Sequence, residues 1–413
     1  MKTVGIIAEY NPFHNGHAYQ IAKAKEMTGA DYCIIAMCGD FVQRGAPALA
    51  DKYIRTETAL KNGADLVLEL PVYYALGSAE YFASGAVALL DRLGITDTLC
   101  FGSECGDISI LSEFADKLID EDSVFKGVLD RYLRLGHTYP NARNAALRAS
   151  APHLTPYMHI LTTSNNILGI EYCKALIRRG SSIKPYTTHR AGSSYHDASL
   201  LNTYCSALAI REAIDAAGDL SEVRNLMPPS VYELLESQFG NSCPVQTDDF
   251  SLLLHYQLLS EQADGYTVHP DIDQDLSDRI TNLLPSYRGF TDFCEKLKTK
   301  NRTYTRISRS LMHILLRIRK SDLLIYQADD YVYYARVLGF RQDAAPLLSA
   351  IKAHSSIPLV TRLSDADNLL SDNGRAMLAK DIYAAQIYHS LVRNKFPHTR
   401  YDGNEYTRQL LKI

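Results

Sequence analysis

The 413-residue chain contains no tryptophan, no CxxC pair, no low-complexity segment and no internal repeat. No apolar run reaches the roughly 18 residues that argue for a membrane-spanning helix, so no membrane partner is expected. The opening stretch "MKTVGIIAEYNPFHNGH" carries one lysine and a short apolar run before it turns polar. That is too little for a signal peptide, and the chain reads as cytoplasmic. Neither sign of charge dominates: 43 Lys and Arg stand against 47 Asp and Glu, a net charge of -4. A polyanion would therefore have to be met by a local basic patch, not by global attraction. The eight cysteines are dispersed and read as reduced thiols in core or loops. Cys100 and Cys105 are the nearest to a metal-ligand spacing, and no metal site is expected from them.

What is present is an alternation of short apolar runs and helical patterns through the first half. "TVGIIAEY", "DYCIIAMCGD", "DLVLELP" and "DTLCFGSECGD" are β-like, and "YQIAKAKEMTGA", "DKYIRTETALKNGA" and "AEYFASGAVALLDRLG" between them are helical. Continuous apolar strands separated by amphipathic helices predict an α/β, Rossmann-like, doubly wound parallel sheet covered on both faces. "SSIKPYTTH" reads as a fifth strand after the helix "NNILGIEYCKALIRRG", and residues about 110–160 read as a helical insertion. Beyond residue 216 the β-like runs mostly stop, which divides the chain into a catalytic domain at 1–216 and a mainly α-helical domain at 217–413. "YTRISRSLMHILLRIRK" reads as the longest helix there, and "SSIPLVTRL" as a lone strand.

The stretch "AEYNPFHNGH" closes the first strand with a turn and opens a helix near His14. In an open α/β sheet the carboxyl ends of the strands form the ligand crevice, and the first helix aims its amino end there. Free N–H groups and the helix dipole favour phosphate at that end. Gly16 lets phosphate approach the backbone. His14 and His17, three residues apart, share a face of the first turn and can donate to phosphate oxygens. Such donors matter most where charge builds up during attack on phosphorus.

"HNGH" matches the His-x-Gly-His signature of the nucleotidyltransferase superfamily. Taken with "GIIAEYNPFHNGH", "MCGDFVQRGAPA", "FGSE", "NNILGIEY", "HRAGSSYHD" and "SSIPLVT", which span nearly the whole chain, the sequence resembles the tRNA(Met) cytidine acetate ligase family. The resemblance implies a ligase that adenylates acetate with ATP and transfers acetyl to the wobble cytidine of elongator tRNA(Met). It implies Mg²⁺ bound with the ATP substrate, with no metal held by the protein alone. It assigns ATP contact to Ile7, Ala8, Glu9, Tyr10, Asn11, Pro12, Phe13, His14, Asn15, Gly16, His17, Ala18, Tyr19 and Gln20. Gly102, Asn165 and Arg190 join that set, and His14 and His17 are the expected catalytic pair. Asn166 is the neighbour that competes with Asn165 for the contact. Asp40, Gln43 and Arg44 in "MCGDFVQRG" are candidates for the acetate or cytidine side, although members of the family tend to carry Asn where this chain has Asp40. In "YCSALAIREAI" Ser206 and Arg211 keep a phosphate-loop pattern in which Leu208 replaces the usual Thr.

For RNA the informative segment is Lys296 to Lys320, with nine Lys or Arg and no acidic residue. On one helix, Ile307, Leu311, Ile314, Leu315 and Ile318 would form an apolar stripe. Arg302, Arg306, Arg309 and Lys320 would fall opposite and track a phosphate backbone, with Tyr304 near enough to stack on a base. Two other readings fit parts of the pattern: a small-molecule adenylyltransferase, which needs no basic helix, and a non-catalytic RNA-binding protein, which does not need the two histidines.

Overall fold

The computed structural model describes residues 1–190, 205–398 and 404–413. Its central sheet is built from β1 (Thr3–Ala8), β2 (Tyr32–Cys38), β3 (Leu66–Leu70), β4 (Thr98–Ser103), β5 (Lys184–His189), β6 (Ala335–Phe340), β7 (Leu359–Val360) and β8 (Leu411–Lys412). The strand order is β8-β6-β3-β2-β1-β4-β5, with β7 paired to β6 off that path. The five strands from the first half are parallel throughout. β6 runs antiparallel to β3, setting Arg336 opposite Glu69. Both faces are covered, and β2 shows how: Ile34, Ala36 and Cys38 enter one core, Cys33, Ile35 and Met37 the other. A side-chain period of two with no polar member is what two covered faces require.

The helices that matter for the site are α1 (Asn15–Thr28), α2 (Lys52–Lys61), α3 (Ala79–Arg92), α4 (Ser164–Arg179), α5 (Ala207–Ala217), α6 (Tyr304–Leu315) and α7 (Asp372–Lys395). Side chains that favour N-caps set several starts: Asp51 caps α2, Ser78 caps α3 and Ser206 caps α5. α4 stops at Gly180, which takes φ 59°. Between β4 and α4 lie three helices and a 3₁₀ stretch ending at Thr162. No helix among the described residues is long and apolar enough to cross a membrane.

The second half departs from expectation in two places. "SSIPLVT" is not a lone strand: Leu359 and Val360 pair with Ala335 and Arg336, and β6 itself, "ARVLGF", is fully buried. β6, β7 and β8 all join the sheet on its β3 side, so the mainly helical half completes the α/β layer. The longest helix among the described residues is α7, with 24 residues, and the basic helix α6 stops at Leu315 after 12. Arg317 takes φ 54°, and the Ile318 N–H returns to the His313 carbonyl at 2.9 Å. That left-handed turn ends the helix and rotates Arg317 to Lys320 out of register with the residues before it.

Candidate active site

β1 changes neighbours from β2 on one side to β4 on the other, which makes its carboxyl end the switch point where α/β sheets bind ligands. A cavity of about 310 Å³ opens there. One wall is polar: Glu9, Asn11, His14, His17, Gln20, Arg190 and Arg211. The other is largely apolar, with Phe82, Phe101, Ile167, Leu168 and Tyr172. First-turn or cap residues of α1, α4 and α5 all reach the lining. Three helix amino ends on one cavity give it positive potential before any side-chain charge is counted.

The two histidines form a capping box. His14 is the N-cap of α1, and its Nδ1 accepts the Gly16 N–H at 3.1 Å. In return the His17 Nδ1 accepts the His14 N–H at 3.2 Å. With both Nδ1 atoms accepting, the neutral ring carries its proton on Nε2 in each case. The rings stack at 3.7 Å, and Tyr10 and Phe13 brace His17 from the other side. Burial, then the guanidinium groups of Arg190 and Arg211, push the His14 imidazole down to about 3. Burial, His14 and Arg190 push His17 down as well. The pair is thus a set of neutral Nε2–H donors. A Cβ on Gly16 would stand 2.9 Å from the His14 ring, so this glycine makes room for the cap as well as for any phosphate.

The turn between β1 and α1 is anchored from outside. Tyr10 takes φ 49°, the Asn11 side chain accepts from the Leu49 N–H at 2.7 Å, and Arg211 donates to the Asn11 carbonyl at 2.5 Å. Arg55 of α2, almost fully buried, donates to the carbonyls of Glu9 (2.7 Å), Cys38 (3.1 Å), Ala50 (3.0 Å) and Gly39. It ties the carboxyl ends of β1 and β2 together. Sequence reading passed over Arg55, because a cation inside an amphipathic helical pattern reads as a solvated face. Its four acceptors come from segments that only the fold brings together.

On the far side of β4, Glu104 of "FGSE" takes over the capping of α4, whose Thr163 makes no side-chain cap. Its carboxylate accepts from the Asn165 side chain at 2.7 Å and the Asn166 N–H at 2.9 Å. Asn166 is buried and holds Thr163 and the Cys105 N–H, while Asn165 faces the cavity and accepts from Arg190 at 3.3 Å. Gly102 is needed for Arg190: a Cβ there would meet the Arg190 Cγ at 3.0 Å. We expect Gly102→Ala to displace that side chain, raising the KM for ATP about tenfold with an unchanged melting temperature, as measured by steady-state kinetics and thermal denaturation. The residues after Arg190 in "HRAGSSYHD", and Tyr204, lie outside the described residues.

Two expectations need correction. Asp40 does not line the cavity, although Gln43 and Arg44 from the same motif do. Its carboxylate accepts the Lys52 N–H at 2.8 Å inside a buried cluster of Lys52, Glu69, Arg336, His389 and Glu405. In "MCGD" the chain has already turned away from the crevice, because the ribbon of Phe41–Val42 and Ala46–Pro47 folds Asp40 back onto α2. The basic stripe is also not a free surface. Arg302 pairs with Asp273 at 2.9 Å and Asp275 at 2.5 Å, and Arg309 pairs with Asp271 at 3.2 Å. Arg306 donates to the Asp271 carbonyl, and Lys320 to those of Thr267 and Ile272. All four fasten the 267–275 segment to α6 and the residues flanking it, and all four are half-buried. Arg309→Glu should therefore lower stability by about 1–3 kcal/mol in chemical denaturation, by leaving Asp271 against a like charge.

A family model described as HIGH nucleotidyl transferase matches residues 1–403. The chain is 38% identical to the tRNA(Met) cytidine acetate ligase of Acetivibrio thermocellus, and 39% identical to that of Thermoanaerobacter sp. strain X514, across the full length of both chains in each case. The chain belongs to the tRNA(Met) cytidine acetate ligase family of HIGH nucleotidyltransferases. Among solved structures, Thermotoga maritima TmcAL in its apo form is 30% identical with a TM-score of 0.93, both chains covered in full. TmcAL bound with alpha-thio ATP is 30% identical over the same full coverage, with a TM-score of 0.91. Family membership therefore agrees with the geometry: "HNGH" of the family signature is the same capping box that faces the cavity at the switch point.

Proposed function

We propose that this chain is an ATP-dependent ligase that joins acetate to the exocyclic N4 amine of the wobble cytidine of elongator tRNA(Met), releasing AMP and pyrophosphate. The observation that carries the reading is the convergence of two neutral Nε2–H donors, Arg190 and three helix amino ends on one cavity with an apolar wall. Acetate is a poor acyl donor because its oxygen leaves badly. Attack of its carboxylate on the α-phosphorus of ATP gives acetyl-adenylate, whose AMP is a good leaving group for the weakly nucleophilic cytosine amine. Negative charge accumulates on the phosphoryl oxygens during that first attack, where His14, His17 and the α1 amino end are placed to receive it. The apolar wall gives the adenine ring a face, and the cavity between the two walls would hold the two reactants in line.

Glu9 is the sole carboxylate among the described lining residues, and one of its oxygens accepts the Gln43 N–H at 3.1 Å. Mg²⁺ would come with the triphosphate, where it would neutralise charge on the pyrophosphate leaving group. A tRNA substrate supports a cytoplasmic location for the protein. The test is acetate-dependent ATP–pyrophosphate exchange, with and without tRNA, followed by mass analysis of the tRNA. Absence of both exchange and acetylated cytidine overturns the proposal. Exchange with a phosphorylated metabolite in place of acetate would identify a small-molecule adenylyltransferase.

A further inference from the structure

Arg302, Arg306, Arg309 and Lys320 are held by internal partners, which leaves other surface cations free to meet RNA. We propose that the groove between the sheet edge and the C-terminal tail holds a short run of the RNA substrate's phosphodiester backbone. This rests on the ligase reading above. The groove encloses about 910 Å³ along β6, closed on one side by the segment after β7 and on the other by residues 405–412.

Three cations are spread along it. Arg408 lies over the Tyr53 ring at 4.6 Å, and Tyr53 in turn accepts from Arg336 at 3.3 Å, which puts Arg408 at the Arg336 end. Lys412 lies over Phe340 at 5.8 Å and pairs in register with it at the opposite end. Arg362 follows Val360, the register partner of Arg336, by two residues and so falls between. At about 3.3 Å per residue the array runs roughly 13 Å. None of the three enters an ion pair with a described residue, in contrast to Arg302 and Arg309. Glu405 is the only carboxylate among the described lining residues, and its charge is taken by Lys52 and Arg336.

Cations strung along an open groove suit a polyanion, since a small anion would need them to converge on one point. Tyr406, 61% exposed at the rim, offers a face for stacking a base. Position agrees as well. β6 is three strands from β1 in the order β6-β3-β2-β1, about 14 Å at the usual strand spacing. Because β6 is antiparallel to β3 with Arg336 opposite Glu69, the Arg336 end of the groove lies at the carboxyl end of the parallel strands, as the catalytic cavity does. That separation is less than the width of an RNA stem, so one molecule can touch both.

The test uses the full chain and an elongator tRNA(Met) transcript. The triple variant R362E/R408E/K412E is expected to bind 10- to 100-fold more weakly at physiological salt, and its log-affinity against log-salt slope to flatten by about 2. Acetate-dependent ATP–pyrophosphate exchange, which needs no tRNA, should be unchanged. The neutral variant R362Q/R408Q/K412Q guards against misfolding by charge reversal and should show the same loss to a smaller degree. Wild-type affinity and slope in both variants would overturn the groove while leaving the ligase intact. Absence of exchange in the wild type would instead remove the ligase reading.

Discussion

His14→Asn should lower acetate-dependent ATP–pyrophosphate exchange by at least 10²-fold while leaving the protein folded. Asparagine is among the best N-cap residues, so its side chain can still accept the Gly16 N–H and hold the start of α1. What it lacks is a donor at the position of the imidazole Nε2–H. Loss of one preformed donor aimed at developing negative charge is worth about 10²–10³ in rate. His14→Ala should show the same rate loss together with roughly 1 kcal/mol of lost stability from the missing cap. A rate within threefold of wild type for His14→Asn would remove His14 from the chemistry and leave it a structural cap. The pH dependence follows from the same geometry. Both imidazoles are held below the usual value, His14 at about 3. The exchange rate should therefore show no inflection near pH 6.5 from these groups. In the window between about 3 and 6.5 the unfolded chain binds more protons than the folded one, so stability falls as pH drops through it.

Arg55→Leu should be among the most destabilising single changes in the catalytic half. The guanidinium satisfies four carbonyls, the buried ones of Cys38, Gly39 and Ala50 and the partly buried one of Glu9. Each buried acceptor left without a donor costs about 1–3 kcal/mol, so a loss of at least about 3 kcal/mol is expected in urea denaturation. Arg55→Lys should not restore it, since an ammonium on a flexible stem cannot fork to carbonyls on four sides. The effect extends to function. With the carboxyl ends of β1 and β2 untied, the Glu9–Tyr10 turn loses one of its fixed points, and residual folded protein should show a raised KM for ATP. A variant with wild-type stability would mean that water replaces the guanidinium without loss.

Both predictions concern one turn, and it was partly legible in advance. An apolar run, then Asn-Pro, then His-x-x-His around a glycine contains its own meaning. Strand, turn and helix start are local, and the helix amino end follows from them. The family motifs "FGSE" and "NNILG" likewise pointed to Gly102 and Asn165. What they did not contain was Glu104 as the side chain that joins those motifs, because the two segments are 61 residues apart in the chain.

The amino-acid sequence by itself determined the parallel sheet, the place of its first crevice and the histidine pair that faces it, since each depends on hydrophobic period and on residues within a few positions of one another. Tertiary structure alone decided where the charges go. Arg302, Arg306, Arg309 and Lys320 read as an RNA-tracking stripe as long as their partners at 267–275 were unknown, and Asp40 read as a site residue until α2 and the tail closed over it. The strands β6, β7 and β8 add to the same sheet for a related reason: edge pairing is non-local, and nothing within those short segments names the strand they will meet. A charge reads as exposed in a sequence and is spent or free only once the fold has chosen its neighbours.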